Sequence, residues 1–143
     1  MLYFKNPQLF NKVITIKSTE EFYELFAMET SNFWQNHYTF EKESKTVKKK
    51  ITKSFIDLVL INTVIPLKFI YARSIGKDSE EEIMDLISQL SYEKNTIVTN
   101  FKTLKVPIEN AMHSQALIQL KNWYCDQKAC LKCAIGNKLL NGD

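Results

Sequence analysis

The chain has 143 residues, 45% of them apolar and 24% charged, with a net charge of +3. This length and balance fit one globular domain that buries enough surface to fold without a disulfide or a metal, and they exclude a small secreted disulfide scaffold. The charge does not by itself predict nucleic-acid binding, because Arg73 is the only arginine among 19 basic residues and lysine lacks the planar fork that reads phosphates and bases in pairs. With only 3 Gly and 3 Pro, few tight turns are expected and long regular elements, here helices, should dominate.

In chain order, "NPQLFNKVI" reads as one or two helical turns. "STEEFYELFAME" opens with a capping box, in which Ser18 accepts from the amide of Glu21 and Glu21 reaches back, and Phe22, Leu25 and Phe26 then share a face. "TSNFWQNHYTF" is aromatic-rich and pairs Phe33 with His37 and Trp34 with Tyr38 at helical spacing. "KESKTVKKKITKSFIDLVLINTVIP" predicts the central helix, with Val47, Ile51, Phe55, Leu58 and Asn62 on one stripe and Lys45, Lys49 and Lys53 on another. Pro66 either kinks that helix or begins a new one capped by Thr63, and Gly76 is its stop. The apolar run Phe55 to Ala72 contains Asp57, Asn62, Pro66 and Lys68, so it reads as a core helix rather than a membrane span.

Asp78 and three glutamates suit the start of the next helix, whose stripe is Ile83, Leu86, Ile87 and Leu90. "SYEKNTIVTNFKTL" continues with Ile97, Val98, Phe101 and Leu104, and Pro107 marks a loop. Asn110 is the candidate cap of a helix with Ala116, Leu117, Leu120 and Tyr124 inward. "CLKCAIG" is a last short helix ended by Gly136, followed by a tail. No paired strands, internal repeat or low-complexity linker is present in the sequence. The expected fold is all-α, an irregular bundle of about six or seven helices forming a single domain over residues 1–143. Phe55, Leu58, Leu86, Phe101, Leu117 and Leu120 are its expected core.

Four sets of residues could carry function. Cys125, Cys130 and Cys133 lie within nine residues, with spacing C-x4-C-x2-C. A thiolate site for zinc or an iron–sulfur cluster wants four ligands, so a fourth is missing. His113 would lie about 18 Å from Cys125 along one helix, which leaves His37 as the better fourth ligand. The bland alternative is three small packed thiols, and no cofactor is expected on that reading. Second, Lys45, Lys48, Lys49, Lys50 and Lys53 form a basic face, either solvated or in weak contact with a phosphate backbone. Third, His37 among Phe33, Trp34 and Tyr38 is a hydrogen-bonded half-buried histidine before it is a base. Fourth, Asn62, Glu93, Asn95, Ser114 and Gln115 stand as polar groups in apolar stretches and suggest a mutual hydrogen-bond network. No Ser-His-Asp or paired-carboxylate pattern can be assembled, and the reading leans against catalysis.

"FWQNHYTF", "LINTVIPLKFIYA", "SYEKN", "SQALIQLKNWYC" and "CLKCAIGNKLL" together resemble the C-terminal part of a bacterial family, domain of unknown function 2851, from about Leu9 to Leu140. The resemblance implies a longer architecture with an N-terminal half similar to restriction-endonuclease-like nucleases. It also implies the tail pattern of Tyr124, Cys125, Cys130, Cys133, Ile135 and Gly136. On this footing the chain is expected to be a helical accessory domain, whose partner is a protein or that N-terminal half, or nucleic acid; the three clustered cysteines and the polar residues in the apolar run lead to the expectation of a cytoplasmic setting with no membrane involved. The alternative is a metal- or Cys/His-dependent enzyme fragment.

Overall fold

A computed structural model describes residues 8–142. Asn6 and Pro7, the start of the first predicted segment, lie outside them. The fold is all-α, and among the described residues there is no strand, only isolated bridges between Glu29 and Lys50 and between His37 and Glu43. The helices are α1 (Leu9–Thr15), α2 (Thr19–Leu25), α3 (Asn32–Gln35), α4 (Lys53–Val59), α5 (Ile65–Ser74), α6 (Glu80–Gln89), α7 (Thr96–Thr103), α8 (Ala111–Leu120) and α9 (Ala134–Asn141). The chain's contacts fall into two compact units, Met1–Leu86 and Ile87–Asp143.

The first unit is built around a continuous helix of 22 residues, Lys53–Ser74, in which a π turn at Leu60–Val64 joins α4 to α5. Pro66 has no N–H to give, and the wider turn just before it lets the helix pass through instead of ending. Its buried residues step by four, Ile56, Leu60, Val64, Lys68 and Ala72. In an ideal helix each such step overshoots a full turn by about 40°. The π turn takes back part of that drift and keeps the stripe on one face. By length and composition alone this helix could cross a membrane, but within the unit it is the core helix, with both of its buried charges satisfied.

The expected stripe of this helix is out of phase. Phe55 is 55% exposed, Leu58 and Asn62 are exposed, and the burial falls on their neighbours Ile56, Asp57 and Ile61. The phase differs because the helix does not start at the lysines. Thr52 caps it, accepting from the amide of Phe55 at 3.2 Å. Before Thr52 the chain is extended and returns its hydrogen bonds to residues 28–36, through Thr30 N to Lys49 O (3.2 Å), Val47 N to Gln35 O (2.8 Å) and Ser44 N to Asn36 O (2.7 Å). Like charges at Lys48, Lys49 and Lys50 and the β-branched Thr46, Val47, Ile51 and Thr52 disfavour helix here.

Lys68 lies at the centre of this unit and is only 4% exposed. Its ammonium donates to Ile14 O and Ile16 O, both at 2.7 Å, and meets Glu82 at 3.4 Å. A helix end leaves carbonyls without partners, and here a buried cation supplies them for α1. Burial pushes the Lys68 amine below its ordinary value, and the Glu82 carboxylate partly restores it. Phe22 of α2 is fully buried, and Ser18 caps that helix as expected, accepting from Glu21 N at 3.2 Å. The Glu21 carboxylate meets the Ser18 hydroxyl at 3.1 Å.

In the second unit, Asn95 and Asn110 cap α7 and α8, accepting from Val98 N (2.9 Å) and His113 N (3.1 Å). Val98 and Ala111 are buried, whereas Phe101, Leu117 and Leu120 are only half-buried, so of the six expected core residues Leu86 alone is fully enclosed. The small Ala111 and Ser114 lie on the inner face of α8, where Leu117 and Leu120 were expected to dominate. Gly136 does not end the last helix but lies inside α9. A Cβ there would meet Cys130 O at 2.5 Å, so glycine is needed for close approach of the preceding turn.

Candidate contact surface

The aromatic and lysine segments meet on one surface of the first unit, across residues 32–53. α3 is a single turn, and the chain folds back directly after it. His37 Nδ1 donates to Phe33 O and to Asn36 Oδ1, each at 2.9 Å, which fixes the proton on that nitrogen. The imidazole stacks on Phe33 with centroids 4.0 Å apart. Phe33 packs edge-on against Trp34 at 5.0 Å, and Phe40 packs against both, at 6.0 Å and 5.0 Å. Phe40 is nevertheless 79% exposed and Tyr38 71%. His37 therefore serves as a positioned ring in an aromatic cluster.

The lysines do not form one helical face. Lys49 turns inward, donating to His37 O at 2.8 Å while its ammonium lies 3.4 Å from the centre of the Tyr38 ring. Lys48 pairs with Glu29 at 2.8 Å, both exposed, a pair worth at most about 1 kcal/mol. Lys53 sits 4.7 Å over the ring of Tyr23. Lys42, Lys45 and Lys50 are exposed. Nearby, Tyr23 donates to the buried Asp57 carboxylate at 2.6 Å, and burial together with that carboxylate holds the phenol above its ordinary value. The exposed rings of Tyr38 and Phe40 beside lysine could have been read from "HYTFEKESKTVKKK", but only the fold-back shows that they remain uncovered.

The other candidates separate. Among the described residues no three His, Cys, Asp or Glu side chains converge as a metal site would require. Cys133 is buried, Cys125 and Cys130 are exposed, and His37 belongs to the aromatic cluster. Cys130 lies in a single 3-10 turn, and Cys133 is extended (φ −92°, ψ 129°) where it caps α9. Cys130 O accepts from Cys133 N at 3.2 Å, closing that turn, while the two side chains differ in burial.

Of the polar set, Ser114 Oγ accepts from Glu93 N at 3.1 Å and donates to Ala111 O at 2.9 Å, and the Gln115 amide donates to the Glu93 carboxylate. Asn95 serves as a cap and Asn62 is exposed, donating to Leu58 O of its own helix at 3.0 Å, so neither is a member of that network. The set fixes how α8 meets the loop before α7. Sequence reasoning missed the importance of Lys68, whose signal was a lone charge inside "PLKFIYA".

No curated protein and no solved structure matches this chain. A family model does match, over residues 1–96, which includes the whole aromatic and lysine surface and stops ahead of the cysteines. The tail pattern thus draws no support from the match. The chain belongs to the family described as Protein of unknown function (DUF2851).

Proposed function

We propose that the chain works by contact rather than by catalysis, as a helical interaction domain whose contact surface is the segment 32–53. The observation that carries the reading is the pair of exposed rings, Tyr38 and Phe40, held in place by a packed aromatic cluster and bordered by lysines. Exposed aromatic rings held on a rigid base are what recognition surfaces use, since they offer large area at little cost in side-chain entropy. Residues 36–53 carry six lysines against Glu41 and Glu43, so the partner is expected to be negative.

Heparin chromatography tests this reading as a test of surface rather than of net charge. The double variant Lys45→Glu/Lys50→Glu should elute at clearly lower salt than the parent, while Lys132→Glu/Lys138→Glu, with the same change in net charge, should elute close to it. Equal shifts for both would mean that retention reflects overall charge and that 32–53 is not the contact surface.

A further inference from the structure

Resting on that reading, we propose that the partner is single-stranded nucleic acid, with bases stacked on Tyr38 and Phe40 and phosphates on Lys42, Lys45 and Lys50. Two rings stand out from the surface at 71% and 79% exposure. Neither is loose. Lys49 lies 3.4 Å from the Tyr38 ring centre and bonds His37 O at 2.8 Å, so one face of Tyr38 is held and the other is left to solvent. A base on that other face completes a cation–ring–base stack. Phe40 rests against Trp34 at 5.0 Å and Phe33 at 6.0 Å, which hold the ring while most of it stays exposed.

The same observations argue against a duplex. A base pair in a helix shows its neighbours, not the protein, its stacking faces, so exposed rings gain nothing there. Groove reading needs a helix or ribbon carrying bidentate side chains, and here residues 36–52 are irregular and extended, with lysine but no arginine. Lysine placed beside exposed rings is the combination that sequence-tolerant single-strand binding uses. A run of acidic side chains would satisfy the lysines but brings no planar face of its own to Tyr38 and Phe40, whereas every nucleotide brings both a charge and a planar base.

The test is fluorescence anisotropy of the full chain with a labelled 15-nucleotide oligo-dT, a duplex of the same length and a poly-glutamate peptide of the same length. The single strand should bind at least about tenfold more tightly than either competitor. Tyr38→Ala and Phe40→Ala should each weaken it about tenfold, as loss of one stacked base does. Tyr38→Phe keeps the stacking face and should retain binding, which separates stacking from any failure to fold. Affinity should fall with salt along a log–log slope of about −2, for three neutralised phosphates on a single strand. Equal affinity for duplex and single strand, or binding indifferent to Tyr38→Ala and Phe40→Ala, overturns the single-strand inference but leaves the contact surface standing if Lys45→Glu/Lys50→Glu still abolishes binding. Tighter binding of poly-glutamate than of oligo-dT overturns the nucleic-acid assignment. No binding to any of the three overturns the inference outright.

Discussion

Replacing Lys68 by Met keeps most of the side-chain volume and removes only the ammonium. In the folded protein that ammonium has two carbonyl partners at 2.7 Å, Ile14 O and Ile16 O, and Glu82 at 3.4 Å. Hydrogen bonds to a charged group contribute about 1.5–3 kcal/mol each, so the two carbonyl bonds together represent about 3–6 kcal/mol. Removing a buried cation also relieves its desolvation, the same cost that pushes the Lys68 amine below its ordinary value. Glu82 keeps Lys17 at 3.0 Å and so is not stranded. The net cost should be about 2–4 kcal/mol, a large part of a typical domain's stability. In urea unfolding followed by circular dichroism, with a slope of about 2 kcal/mol per molar, the midpoint should fall by about 1–2 M. Lys17→Met, at the exposed partner, should cost less than about 1 kcal/mol. An unchanged or raised midpoint for Lys68→Met would refute the reasoning, because the carbonyls at the end of α1 would then have no need of the cation.

Four further outcomes follow from the geometry. Burial pushes the Glu82 carboxylate up, but Lys17 and Lys68 outweigh it and hold it below the ordinary value of 4.5. The unfolded chain therefore binds the proton first, and the stabilisation is full above that value and lost as pH falls through the folded one. The stability gap between the parent and Glu82→Gln should narrow as urea melts are taken from neutral pH down through the ordinary carboxylate range, and a gap independent of pH would contradict the pairing. Leu60→Ala, at a fully buried site, should cost about 2–5 kcal/mol, and Leu58→Ala, two residues back and exposed, much less; equal losses would restore the stripe read from the sequence. Gly136→Ala should destabilise the second unit by about 1–3 kcal/mol, because its Cβ would meet Cys130 O at 2.5 Å, and a neutral effect on thermal melting would show that the turn yields. In a thiol-reagent titration Cys125 and Cys130 should react in the native state and Cys133 only on unfolding; three equally slow thiols would speak for the enclosed cluster after all.

Local signals were read well where one residue acts on its own backbone. Ser18 and Asn110 cap the helices they were expected to cap, and Gly76 takes the left-handed conformation (φ 68°) just past α5. The phase of the central helix is not legible in the sequence, because Val47, Ile51 and Phe55 continue its apolar spacing of four backward across Thr52, where the helix is capped and begins at Lys53. A stripe that begins at Val47 is therefore out of phase with the buried face at Ile56, Leu60 and Val64. The π turn before Pro66 was also hidden, since either a kink or a fresh start would have satisfied proline. At the cysteines, spacing alone suggested one helical turn, and the extended Cys133 that separates Cys130 from α9 depends on Gly136 approaching the preceding turn. The aromatic cluster was visible as pairs, Phe33 with His37 above all, but its exposure depends on backbone bonds from 44–51 back to 28–36.

The most direct test of the central claim is a two-dimensional amide NMR titration of the 143-residue chain with the 15-nucleotide single strand. The account predicts that shift changes concentrate in residues 32–53, at Tyr38, Phe40, Lys45 and Lys50 above all, with the second unit nearly silent. Changes centred instead on Trp123 and α9, or on the exposed side of the Lys53–Ser74 helix at Phe55 and Ile70, with 32–53 unmoved, would contradict it.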